Sequence, residues 1–176
     1  MSNVISFTQS PLSPYLGPWV RDPLSVSRNK VVKLTLGADG LKKLWACDSI
    51  EERQRILATD AALDDKYRAV AGLAQSGMGG RMEISLQAIV WKGSESASSP
   101  TAGAPTANWE FQVARVAANG KKVIVHATNL RPEKRGRPVA FELRMSMQWL
   151  LMSEQYSPAQ ANFFPRSPVF RYYRPS

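Results

Sequence analysis

The sequence predicts an α+β fold: an N-terminal arm, a strand and short helices, then a mostly antiparallel four-stranded sheet and an extended C-terminal arm. Three observations carry that expectation. Signals for full-length helices concentrate in residues 38–76, and apolar residues recur at every second position over much of residues 81–151. Both ends of the chain are rich in proline yet still carry large apolar side chains.

Residues 1–29 hold Phe7, Tyr15, Leu16 and Trp19 among serines and prolines, the composition of an extended arm with apolar anchors. From Lys30 to Leu36, Val32, Leu34 and Leu36 alternate with Val31, Lys33 and Thr35, which is the period of a half-buried strand. Asp39 then suits the cap of a helix carrying Leu41, Leu44 and Trp45. Ser49-Ile50-Glu51-Glu52 matches a capping box and predicts a second helix with Leu57 on its apolar side. A third helix places Leu63, Tyr67, Val70 and Ala74 on one face, and the glycines at 77, 79 and 80 stop it.

After those glycines the period changes to two. Met82, Ile84, Leu86, Ala88 and Val90 are expected on one face of a single strand. Residues 93–107 are a low-complexity Ser/Ala/Pro/Gly loop. Two strands flank Ala118-Asn119-Gly120-Lys121, where the Asn-Gly pair signals a tight hairpin in which Val116 faces Val123 and Val113 faces His126. Val139 to Trp149 alternates over eleven positions and reads as one long strand. The expected organisation is therefore an arm (1–29), one α+β domain (30–156, with its helical part at 38–76 and its sheet at 81–151) and a basic aromatic arm (157–176) that opens on a brief capped turn at Ser157-Pro158.

The net charge is +9 and is unevenly placed: from Arg115 onward there are eleven basic and three acidic residues. Such a bias attracts phosphates and makes binding fall with salt. A single cysteine, Cys47, excludes an internal disulfide, and with one histidine, His126, the usual Cys/His zinc cluster cannot be assembled. No run approaches the roughly 20 apolar residues that span a bilayer, so no membrane partner and a cytoplasmic location are expected. Catalytic signatures are lacking as well. The GMGGR stretch has no Lys-Ser/Thr ending of a phosphate loop, Cys47 lies beside Trp45 as a packed apolar residue, and Asp64-Asp65 reads as a solvated helix face. The chain is expected not to be an enzyme and to need no cofactor or metal.

The binding features cluster. Lys121 and Lys122 mark the hairpin tip, Arg131, Lys134, Arg135 and Arg137 fall in the next connection, and Arg171 and Arg174 interleave with Phe170, Tyr172 and Tyr173. Lys134-Arg135-Gly136-Arg137-Pro138 resembles the core of an AT-hook, which implies minor-groove binding with Gly136 passing close to the groove floor and Arg135 and Arg137 reaching into it. Residues 30–57, a strand followed by two helices, resemble the ribbon-helix-helix regulators; that resemblance would turn Val31, Lys33 and Thr35 toward a major groove. Together these features predict a non-enzymatic DNA-binding protein with a regulatory or nucleoprotein role, of a mobile element or phage. DNA is favoured over RNA because no Gly-Phe-x-Phe platform is present. The alternative is a structural subunit of a larger assembly, a virion or secretion component, locked by its two arms into a homo-oligomer or onto a partner.

Overall fold

Hydrophobic alternation along the strands resolves into a ring. In the computed structural model, which describes residues 9–25, 30–74, 80–92, 109–130, 136–155 and 169–176, eight strands form a closed barrel in which every neighbour is antiparallel. They are β1 (Gly17–Arg21), β2 (Arg81–Ile84), β3 (Ala88–Lys92), β4 (Trp109–Asn119), β5 (Lys122–Asn129), β6 (Arg137–Ser146), β7 (Trp149–Glu154) and β8 (Val169–Tyr173). Three helices, α1 (Lys30–Trp45), α2 (Ile50–Ala58) and α3 (Ala61–Ala74), are inserted between β1 and β2. This overturns the expected four-stranded sheet flanked by two extended arms. Each arm supplies a strand, and β1 pairs with β8 to close the ring.

The other corrections to the expected elements have identifiable causes. The run from Met82 to Val90 splits because the Ser85 hydroxyl accepts from the Gln87 and Ala88 amides, a local turn that competes with strand continuation. Inward residues therefore change from Met82 and Ile84 to Ile89 and Trp91, and Leu86 is left half exposed. The run from Val139 to Trp149 splits at Met147-Gln148. A two-residue loop pairs Ser146 with Trp149, so Phe141 and Leu143 face inward on β6 while Leu150 and Met152 do so on β7. The Asn-Gly hairpin forms one residue later than expected. Gly120, at φ +63°, takes the first loop position and Asn119 stays in the strand opposite Lys122, so Val116 faces Val125 and Val113 faces Ala127.

Residues 30–36 are helical, not a strand. Val32 and Leu36, four apart, are buried against the helical layer, whereas Leu34 is 84% exposed, so the two-residue period is not used. Gly37, at φ +74°, is non-helical and divides α1 into two helical segments at a kink. The Ser49 cap forms as expected, its Oγ accepting from the Glu52 amide at 3.1 Å, while the Glu52 carboxylate accepts from the amide of Asp48, one residue before the cap, at 2.7 Å. The glycine cluster at 77–79, the 93–107 loop and the 157–160 turn lie outside the described residues.

Two cores result. Inside the barrel, Trp91, Phe111 and Phe141 pack mutually at ring separations of 5.1–5.5 Å, with Trp19, Ile89, Val125, Leu143 and Leu150 around them. Each such ring pair contributes about 0.5–1.5 kcal/mol beyond its buried area. The interior of an eight-stranded barrel is just wide enough for such a filling. Trp91 Nε1 donates to the Tyr172 hydroxyl at 3.1 Å, which satisfies the one polar group that this indole brings in. Among the described residues no helix is long and apolar enough to cross a membrane. The second core, Leu24, Leu44, Leu57, Leu63 and Val70 among others, holds the helices together beside the barrel.

A buried ionic clasp joins the two. Asp22, at the end of β1, accepts two bonds from Arg53 of α2 at 2.6 and 3.0 Å and one from Arg171 Nε of β8 at 2.8 Å. The Arg171 guanidinium lies between the rings of Trp45 and Trp149, 3.6 and 4.0 Å from their centroids, and donates to the Trp45 carbonyl. Trp149 Nε1 in turn donates to the Cys47 carbonyl at 2.8 Å. Burial works against the charge on Arg53, but the bidentate bond to Asp22 overcomes it and holds that guanidinium above its ordinary range. Replacing Asp22 with alanine strands both buried guanidiniums, and the expected loss of about 3–5 kcal/mol is measurable by chemical denaturation. A loss below about 1 kcal/mol would contradict a structural role for the clasp.

Candidate nucleic-acid interface

The helices cover only part of the barrel. Their clasp sits on β1, β7 and β8, and β5 stands four strands from β1 in either direction round the ring. The side farthest from that clasp is built from the three longest strands, β4, β5 and β6. Along β5, Val123, Val125 and Ala127 belong to the barrel core, so Lys122, Ile124, His126 and Thr128 point outward.

Basic side chains collect on that outer wall. Lys122 is exposed and forms a 3.3 Å ion pair with Glu142 of β6. Arg144, next to inward Leu143, is exposed on the same face, and Lys121 projects from the adjoining loop. Arg115 joins them through a β-bulge. Val113 pairs with Ala127 on the inner face, and one residue is skipped before Arg115 pairs with His126 on the outer face. Without that extra residue the strict alternation would aim Arg115 into the apolar core opposite Val125, where a charge is costly. Among the described residues Arg115, Lys121, Arg137 and Arg144 have no ion-pair partner, so their charge is available to an anion.

The residues singled out from the sequence are dispersed. Lys121 and Lys122 lie on this wall. Arg131, Lys134 and Arg135 lie outside the described residues. Gly136, at φ +82°, donates its amide to the Asn129 carbonyl at 3.1 Å and leads into β6, whose first residue, Arg137, is exposed opposite Asn129. Arg137 thus marks the barrel end opposite to Lys121, roughly 23 Å away along β5. Lys33 is exposed on α1, in the helical layer on the other side of the barrel. Arg171 is spent in the clasp. The Arg174 guanidinium stacks on Trp19 at 3.8 Å and donates to the Pro14 and Pro18 carbonyls, tying the N-terminal segment to the barrel.

Arg115 and Arg144 were not singled out from the sequence. Arg144 had a legible signal, its outward parity within the alternating run, whereas the bulge that turns Arg115 outward leaves none. Catalytic chemistry has little to work with among the described residues. Burial raises the Cys47 thiol, which faces the Lys43 carbonyl at 3.6 Å. No group of three or more His, Cys, Asp or Glu side chains that could hold a metal ion occurs there.

The tyrosines beside the clasp set a pH limit. Burial pushes Tyr173 up to about 12 and also raises Tyr67 and Tyr172. An unfolded tyrosine ionises near pH 10, so the unfolded chain loses protons first and the stabilising difference, complete below pH ~10, is lost as pH rises through about 12. Denaturation midpoints are expected to fall across that window, and Tyr173→Phe should flatten the fall; an unchanged slope would contradict the assignment. No protein-family model, no curated protein and no solved structure matches this chain.

Proposed function

We propose that this chain is a non-enzymatic DNA-binding protein, regulatory or nucleoprotein in role, that holds the phosphate backbone against the outer wall of β4–β6. One observation carries the reading: the side of the barrel away from the helical clasp presents Arg115, Lys121, Lys122 and Arg144, with Glu142 paired to Lys122 and Glu110 farther along β4. Strand positions fix the backbone of Arg115, Lys122 and Arg144, and a tight turn that of Lys121, so little backbone freedom is lost when phosphates arrive. The excess of basic over acidic residues after residue 114, eleven against three, adds long-range attraction. Binding of this kind weakens with salt through counterion release.

A mobility-shift titration at two salt concentrations tests it. Affinity should fall at least ~10-fold between 50 and 200 mM salt if several phosphates are neutralised. Arg115→Glu with Arg144→Glu should weaken binding, whereas Lys33→Glu, on the helical side, should leave it unchanged. Salt-independent failure to bind would sink the reading.

A second reading, a subunit of a larger assembly, is favoured by a cleft of about 280 Å³ beside the β6–β7 loop. It is lined by Ile50, Met145, Met147, Tyr173 and others, and Met147 stands 71% exposed at φ +54°, a backbone region that disfavours a side chain. Static light scattering decides it: self-association that Met147→Asp abolishes supports an assembly contact, and a monomer at all concentrations argues against one.

A further inference from the structure

The wall's chemistry narrows the ligand further. The aromatic residues of β4 and β6 are committed to the barrel: Phe111 and Phe141 are buried in the central ring cluster, and Trp109 stacks on Phe111 at an interplanar angle of 10°. The aromatic stretch that would have offered stacking, residues 170–174, is committed as well. Tyr172 is in the barrel core, Tyr173 packs edge-on against Trp149, and Phe170 lies beneath the Arg21 guanidinium. Among the described residues, then, the outer face of β4–β6 offers these cations with Ala117, His126, Thr128 and the carboxylates of Glu142 and Glu110 among them, Ile124 being buried, and no Phe, Tyr or Trp.

Proteins that hold single strands combine a positive groove with rings on which successive bases stack. A convex wall without Phe, Tyr or Trp has neither the groove nor the platform. It suits a ligand whose bases are already paired and stacked and whose phosphates form a rigid surface of high charge density. The spacing agrees. Lys122 and Arg144 form one cationic point near the loop end, and Arg115, opposite His126, forms a second, four residues along β5 or roughly 13 Å away. That interval is close to the width of a B-DNA major groove, about 12 Å, so the two points can engage the phosphate strands on its two sides.

We infer that the β4–β6 wall takes double-stranded DNA through its backbone, across a groove, without reading base edges. This rests on the nucleic-acid reading above and specifies its ligand. Fluorescence anisotropy tests it with a labelled duplex of about 25 base pairs, its single strand, and a second duplex of different base composition, each over a salt series. The duplexes should bind alike, within about threefold, and at least ~10-fold tighter than the single strand. Arg115→Ala and Lys122→Ala, both exposed and distant from the clasp, should weaken both duplexes equally and each reduce the salt slope by about one, with melting temperatures unchanged. Salt-dependent binding of the single strand as tight as the duplex would overturn the inference and leave the nucleic-acid reading standing. A marked preference for the A·T-rich duplex would overturn the absence of base readout. Binding to none of the three would overturn the reading beneath it.

Discussion

The Asp22 carboxylate is the constraint around which this architecture is arranged. It accepts from both terminal nitrogens of Arg53, from Nε of Arg171 and from the Leu24 amide, while its own backbone amide donates to the Arg171 carbonyl. One buried anion therefore ties β1 to β8 at the seam of the barrel and α2 to both. Two guanidiniums against one carboxylate leave an excess positive charge, and the aromatic residues answer it. Arg171 sits between Trp45 and Trp149, and Arg53 lies 4.9 Å over Trp149 and 5.7 Å over Tyr67. Ring faces stabilise a desolvated cation where water no longer can. Arg171 Nη2 stays without a hydrogen-bond partner among the described residues, so the ring contacts carry that end of the group.

The clasp also divides the barrel surface. Where the helices dock, an outward tryptophan and an outward arginine are covered, and the wall becomes interior. Away from the clasp, outward positions on β4–β6 carry charge, and the bulge after Val113 is what allows an arginine at 115 to coexist with a filled apolar core. The same strands thus serve packing on one face and anion attraction on the other, with a single skipped residue deciding the side on which Arg115 emerges.

Local patterns in the sequence were legible wherever side-chain periodicity and backbone state coincide. The cap at Ser49, the apolar face through Leu63 and Val70, and the hairpin near Asn119-Gly120 all formed. Closure was not legible, because the closing strands, Gly17–Arg21 and Val169–Tyr173, are five residues each and flanked by prolines, so their alternation is too short to stand out. Tight turns hid two more strands: a two-residue loop passes on an uninterrupted alternation of residue types while exchanging the faces they occupy. At Lys30–Leu36 tertiary packing of Val32 and Leu36 overrode a β-like pattern. Of the wall, Lys121 and Lys122 were readable from the turn, but the clasp was not. Arg171 reads in the sequence as one more basic residue among aromatics, and only the fold reveals that its charge is spent inside.

The seam has a kinetic side. Asp22 and Arg171 are 149 positions apart, and the strands they lock are the first and last of the ring. Every other pairing in the barrel joins strands consecutive along the chain, the widest of them β1 with β2 across the helical insertion, whereas the seam must close a loop more than twice as long. During synthesis, β1 has no partner on its β8 side until residue 173 has left the ribosome, and the carboxylate at its end spends that interval in water. The barrel therefore completes in one late step, in which a strand edge disappears and two arginines lose their hydration together.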